Sequence, residues 1–343
     1  MSSNKYDSST SNGFAMGQRL IQRASAATRI AVLLISFCAT GTLHAAEIHW
    51  KNGVSGNWNV GTNWVGDVVP GSSDTAVIDP AGTYTVTLDV SPGVSGFRLA
   101  STSATFSTST NTITVNGIAT LNAGTIEIVS GGSFTVPGSR TFQFNGGSLI
   151  GSPLLTDATL AFGSEAGQTG TVRVQGGSAI ITGDISLNAI VDFKPTFAGN
   201  HLLDWNSGRT VNGTLNMDST AAGGNTNLRV TTLDSVTNNG EIYLNQGSGG
   251  IRQIEAQLVN NGILEQTSTN ASNTLGKSGA THFNNGDITL LGGTTLTVLG
   301  TAFHEAGTTI SGGGTLTLNG VQFFGVGTMG VNVVLTNSAV LNP

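Results

Sequence analysis

Residues 236–244 read VTNNGEIYL, residues 258–265 read LVNNGILE and residues 282–290 read HFNNGDITL. Each copy sets an Asn-Asn-Gly corner ahead of a short run in which apolar and polar residues alternate. The central glycines, Gly240, Gly262 and Gly286, lie 22 and 24 positions apart. Alternation with period two is the pattern of a half-buried strand. A repeat in the low twenties matches one rung of a right-handed parallel β-helix, three short strands joined by three corners. A single rung cannot bury its apolar positions. Rungs stacked ~4.8 Å apart share one core, and each pairs the backbone groups of the next. Asn at equivalent corners of successive rungs is expected to form a ladder, each amide bonding the next.

The same pattern runs outward in both directions. Looser copies occur at Val211-Asn-Gly-Thr-Leu215 and at 312–318, and alternating runs recur at Tyr84-Thr-Val-Thr-Leu88, Thr112-Ile-Thr-Val115 and Thr171-Val-Arg-Val174. Asn-Gly dipeptides punctuate the runs at Asn116, Asn145, Asn212, Asn239, Asn261, Asn285 and Asn319. Both residues tolerate positive φ, which suits tight corners. About 290 residues at roughly 24 per rung give on the order of 12 rungs. Asn-Gly is also a two-residue hairpin turn, so an antiparallel β-sandwich or meander array is the structural rival. An open solenoid exposes sheet edges that need covering. Residues 47–90, with Trp50, Trp58 and Trp64, read as an aromatic N-terminal cap with the first strands, and 91–343 as the rungs.

Residues 1–46 read as a secretory leader. Lys5, Arg19, Arg23 and Arg29 precede the apolar run 30–39, and small residues follow up to Ala46. Met16 offers an alternative start. The run is too short for a permanent transmembrane helix, and no other stretch of the mature chain supplies one. Cys38, the single cysteine, leaves with the leader, so the mature chain has no disulfide or thiolate chemistry. Removing Asp7 and the leader's four Lys/Arg turns 13 basic and 19 acidic residues into 9 and 18, a net charge of −9. A sparse, mildly acidic surface excludes nucleic acid as a partner. Low charge with 38% hydrophobic residues excludes a disordered chain.

Two segments resemble bacterial β-strand-repeat surface proteins, the autotransporter-associated and PEP-CTERM-type solenoids. In the first, Trp58, Asn63-Trp64, Gly66, Pro70 and Asp74 lead into the strand-like run Thr83 to Leu88. The second is Gly325-Val-Gly-Thr-Met-Gly330 and its continuation to Pro343. The resemblance implies an exported β-solenoid at the cell surface. Neither the family's C-terminal barrel nor its sorting signal is present, and the chain reads as a truncated member.

Motifs that carry chemistry are sparse. Ala271 to Ser278 (ASNTLGKS) fits a relaxed phosphate-loop string, and residues 325–330 (GVGTMG) fit a dinucleotide fingerprint. Both need a following helix, and the sequence after each reads as corner and strand. His304-Glu305 is half a zinc-protease motif, with Thr308 where the second ligand belongs. No metal site or cofactor is expected, save that Asp67, Asp74 and Asp79 offer oxygen ligands for Ca²⁺. Asp184, Asp192, Asp204, Asp234, Glu241 and Asp287 are dispersed, although rung stacking can align acids from successive turns into a glycosidase-like pair. Trp58 and Trp64, with Asp74, are the candidate ligand-or-cap residues: an aromatic face suits a sugar ring, and clustered Trp also suits packing. The leading expectation is a non-enzymatic exported surface or matrix protein, a β-helical stalk or adhesin-like passenger meeting polysaccharide or cell-surface components. The alternatives are a polysaccharide-degrading β-helix enzyme, lyase or hydrolase, and a carbohydrate-binding module built on the Trp segment.

Overall fold

The computed structural model describes residues 46–342, apart from 165–166, 206–207, 246, 268–271 and 326–327. Residues 1–45, on which the expected leader falls together with Met16 and Cys38, lie outside the described residues. Period-two alternation becomes strand almost everywhere it was read. In Tyr84–Thr87, Thr112–Val115 and Glu241–Leu244 every second side chain is buried and the others are half-exposed. Among the described residues the strands form three sheets of 14, 17 and 7 strands. Helix among the described residues is confined to two 3-10 turns, Gly61–Asn63 and Val65–Asp67.

The sheets are parallel, and each strand pairs with its counterpart one rung away. Leu215, Ile242, Leu264, Ile288 and Ile310 form one inward column of Cα partners in the 17-stranded sheet. Asn273, Leu296, Leu316 and Val333 form another in the 14-stranded sheet. The chain is therefore a parallel β-solenoid. The antiparallel sandwich or meander is overturned, because the one antiparallel contact among the described residues is the isolated bridge between Trp50 and Trp64.

The Asn-Gly dipeptides are corners between sheets; Gly320 of Asn319-Gly320 has the expected positive φ, 67°, whereas four others are there for a different reason. None of Gly213, Gly240, Gly262 and Gly286 has positive φ. A Cβ at Gly240 would lie 2.2 Å from the carbonyl oxygen of Gly213, one at Gly262 2.1 Å from that of Gly240, and one at Gly286 2.2 Å from that of Gly262. The close approach of one rung's backbone to the next requires the glycine.

The core is continuous along the stack. Phe97, Phe106, Phe134, Phe142 and Phe144 are buried and meet ring to ring, with centroids 4.9–6.3 Å apart. Full burial of each such side chain contributes about 1.5–3 kcal/mol. Beyond Gly199 the interior holds mainly smaller aliphatic columns, with Trp205, Phe303 and Phe323 buried among them.

The cross-section changes along the chain. Early rungs place two strands in the 17-stranded sheet, such as Ala104–Ser107 and Thr112–Val115, between successive strands of the 14-stranded sheet. The longer strand Thr169–Gln175 pairs with both Ser148–Ile150 and Leu154–Thr156, merging the two lines into one. The 7-stranded sheet begins at Thr210–Val211, preceded only by a single bridge from Ile185 to Val211.

Candidate functional site

At the N-terminal end Trp50, Trp58 and Trp64 are at most 2% exposed. Trp64 packs edge-on against Trp50 at 5.0 Å and against Trp58 at 4.8 Å, and Trp58 meets Phe106 at 5.8 Å. Trp64 Nε1 donates to the Trp58 carbonyl at 2.7 Å and Trp50 Nε1 to that of Val54 at 3.1 Å. No indole face is open to a sugar, so of the two readings of Trp58 and Trp64, packing and sugar platform, the burial fits packing. Asp74 accepts the Gly71 N–H at 2.9 Å and shapes its own turn. Asp67 pairs with Lys51 and Asp79 with His49. The three acids offered for Ca²⁺ thus each serve a separate local contact.

The Asn-Asn-Gly corners build two ladders. The second Asn of each pair forms an outer ladder: Asn285 donates to Asn261 at 2.9 Å, Asn261 to Asn239 at 2.9 Å and Asn239 to Asn212 at 3.1 Å. The first Asn turns inward and forms a buried one with donors pointing the other way. Asn238 donates to Asn260 at 2.7 Å, Asn260 to Asn284 at 2.7 Å, and Asn284 to a Glu305 carboxylate oxygen at 2.6 Å. The inner ladder therefore ends on a group that only accepts. Glu305 also receives the Thr308 N–H and hydroxyl.

A cleft of about 740 Å³ opens where the 7-stranded sheet begins. It lies at the step in cross-section, where among the described residues Thr210–Val211 has only the Ile185 bridge ahead of it. Its lining includes Phe162, Asp184, Leu187, Asn188, Arg209 and Asn212. Asp184 Oδ1 accepts the Thr210 N–H at 2.9 Å, and Ser186 Oγ donates to Gln168 at 2.7 Å. Gln168 is buried and spends its amide protons on the carbonyls of Phe144, Asn145 and Gly163. Arg209 also lines a second hollow of about 320 Å³ with Thr210, Asp234 and Ser235. Sequence reasoning passed over Arg209, a lone exposed cation in a Gly/Thr-rich corner.

Rung stacking also assembles a charged cluster on the outward face of the 17-stranded sheet. Arg173 and Asp192 are Cα partners, and Asp192 pairs in turn with Asn216. Lys194, two residues along, meets Asp218 at 2.6 Å. Burial pushes the Asp192 carboxyl above its ordinary range, against the opposing pull of Lys194 and Arg173. Farther along the same column lie Tyr243 and Glu265, and burial with nearby Glu241 raises the Tyr243 phenol. The other acids are separate: Asp204 forms a two-pronged pair with Arg229 at 2.7 and 2.8 Å, and Glu241 accepts from Thr214. Asp287 continues the Glu241 column through Ile263.

The remaining motifs resolve into solenoid parts. In the phosphate-loop string, Ala271 lies outside the described residues, Ser272–Leu275 is a strand, and Lys277 donates to the carbonyls of Val230 and Thr232. Val326 and Gly327 of the dinucleotide-like string also lie outside them, and Thr328–Met329 is strand. His304 and Glu305 point to opposite sides of one strand. His304 is sandwiched between Phe283 and Phe324, ring centroids 4.9 Å away on each side. No group of three or more His, Cys, Asp or Glu among the described residues is arranged to hold a metal. No helix among them is long and apolar enough to cross a membrane.

No family model matches the chain, and neither a curated protein nor a solved structure matches it.

Proposed function

We propose that the chain is an exported, non-catalytic surface or matrix protein of the β-strand-repeat type, whose solenoid serves as a stalk or adhesive passenger for polysaccharide. The observation that carries this reading is the alignment of outward hydroxyl and amide groups into columns. Thr85, Thr105, Thr125, Ser148 and Thr169 are successive Cα partners. Thr274, Thr297 and Thr317 repeat the arrangement on the 14-stranded sheet, and the outer Asn ladder adds amides. Such columns present hydrogen-bonding groups every ~4.8 Å, with little charge, to a partner that is itself a repeating polyhydroxyl chain. Many weak contacts along a face add through avidity without a deep pocket. Retention of the full chain on insoluble polysaccharides tests this. Retention that falls when Thr105, Thr125 and Ser148 are changed together to Asp supports the reading, and no retention on any polysaccharide refutes it.

A second reading, a polysaccharide-degrading enzyme, is favoured by one observation. Asp192 has a raised carboxyl beside Arg173 and Lys194, and a raised acid is what protonation of a glycosidic oxygen requires. Release of new sugar ends that disappears in Asp192→Asn would establish it.

A further inference from the structure

We propose that the cleft at the start of the 7-stranded sheet binds the carboxylate of a uronate residue within an otherwise neutral polysaccharide, through Arg209 and Asn212. The proposal rests on the polysaccharide-binding reading above and names the sugar chemistry. Arg209 is exposed, and its guanidinium has no hydrogen bond or ion pair among the described residues. It stands between two hollows and lines both. Asn212 lines the larger one and heads the outer ladder. Its Oδ1 accepts from Asn239, and the donors of Asn285, Asn261 and Asn239 all point toward it. Its own Nδ2 has no protein partner among the described residues. A chain of hydrogen bonds polarises its members in one sense, so the free N–H groups at the head of this ladder are strengthened donors. A guanidinium and a polarised amide lining one cleft call for an acceptor with negative charge, and a planar carboxylate matches the guanidinium fork.

The rest of the lining identifies the body of the ligand. Asp184 lies in the larger hollow and Asp234 in the smaller, both with Arg209. These acids disfavour further anions on either side of the cation and accept from hydroxyls instead. Ser164, Ser186 and Asn188 add neutral hydrogen-bonding groups. Leu187, 74% exposed, offers an apolar lip of the kind that meets a pyranose face. One carboxylate flanked by neutral, hydroxyl-rich units fits this order of charges, and a polyanion does not.

The experiment is isothermal titration of the full chain with two trisaccharides, one carrying a single glucuronate between neutral sugars and the other its all-glucose counterpart. The uronate ligand is expected to bind at least about tenfold more tightly, the worth of one charge-assisted contact. Arg209→Gln is expected to abolish that preference while circular dichroism stays unchanged, since the guanidinium holds no other group among the described residues. Asn212→Ser is expected to weaken the uronate ligand several-fold and to cost it more affinity than it costs the neutral one. Equal affinity for the two ligands, or an unchanged preference in Arg209→Gln, overturns the proposal. Retention on neutral insoluble polysaccharide without a uronate preference overturns it alone; absence of both kinds of binding overturns the broader reading as well.

Discussion

Replacing Asn260 by Ala and, separately, its neighbour Asn261 by Ala perturbs two ladders that look alike in sequence. Asn260 is 1% exposed. Its Oδ1 accepts from Asn238, and its Nδ2 donates to Asn284 Oδ1 and, at 3.2 Å, to the Asp287 carbonyl. Truncation strands the Asn284 acceptor and one N–H of Asn238, whose other contact, to the Ile263 carbonyl at 2.8 Å, survives. Each stranded buried group costs about 1–3 kcal/mol, so the loss is about 4 kcal/mol. Asn261 makes the same number of ladder contacts at the surface, where water replaces them, and its loss costs about 1 kcal/mol. The assay is urea unfolding followed by circular dichroism. At an m value of about 3 kcal/mol/M, the difference of about 3 kcal/mol separates the two midpoints by about 1 M. A solenoid can open locally, so hydrogen exchange of the Glu241–Leu244 and Ile263–Gln266 amides supplies a second readout. Equal midpoints, or a larger cost at Asn261, would refute the assignment of the stabilising ladder to the interior.

Burial lowers the His282 pKa below 6.5; Nδ1 accepts the Leu258 N–H and Nε2 faces the Leu299 carbonyl. The unfolded chain therefore takes up the proton first, and stability present above about pH 6.5 falls as pH drops below it, by up to about 1.4 kcal/mol per unit. His282→Gln should flatten that slope in pH-dependent urea titrations. Gly262→Ala places a Cβ 2.1 Å from the Gly240 carbonyl oxygen and should cost about 2 kcal/mol or more by overpacking, measured as a lower thermal midpoint. Arg252 is buried, and its guanidinium donates to the carbonyls of Asn245, Gly224, Ile251 and Gly249. Burial lowers its pKa only to about 10, so it stays charged at neutral pH. Arg252→Met should cost at least about 3 kcal/mol through the carbonyls left unpaired, and an unchanged thermal midpoint would count against this.

The corners were legible in the sequence because Asn-Asn-Gly recurs at nearly one rung's spacing and alternation marks each flanking strand. The outer ladder was legible for the same reason. The inner ladder was not, because nothing in the letters says that Asn238 faces inward while Asn239 faces out; register decides it. The glycines of the corners were recognised, but at Gly213, Gly240, Gly262 and Gly286 the close approach of the preceding rung explains them better than positive φ does, which holds at Gly320. Trp58 and Trp64 left packing and a sugar platform both open in the sequence, and packing takes them together with Trp50. Arg209 and the Arg173–Asp192–Lys194–Asp218 cluster were hidden because their neighbours come from different rungs. The change of cross-section at the cleft leaves no repeat to read. Phe283, His304 and Phe324 stack as ring neighbours only because three rungs bring them into one column.

The central functional claim, contact with polysaccharide without cleavage, is tested most directly by one incubation. The full chain is mixed with a panel of plant and bacterial polysaccharides, and new reducing and unsaturated sugar ends are counted over time. The account predicts that the chain is retained on polysaccharide and that ends stay at the level of the protein-free control. A time-dependent rise in either kind of end, lost in Asp192→Asn, would contradict it.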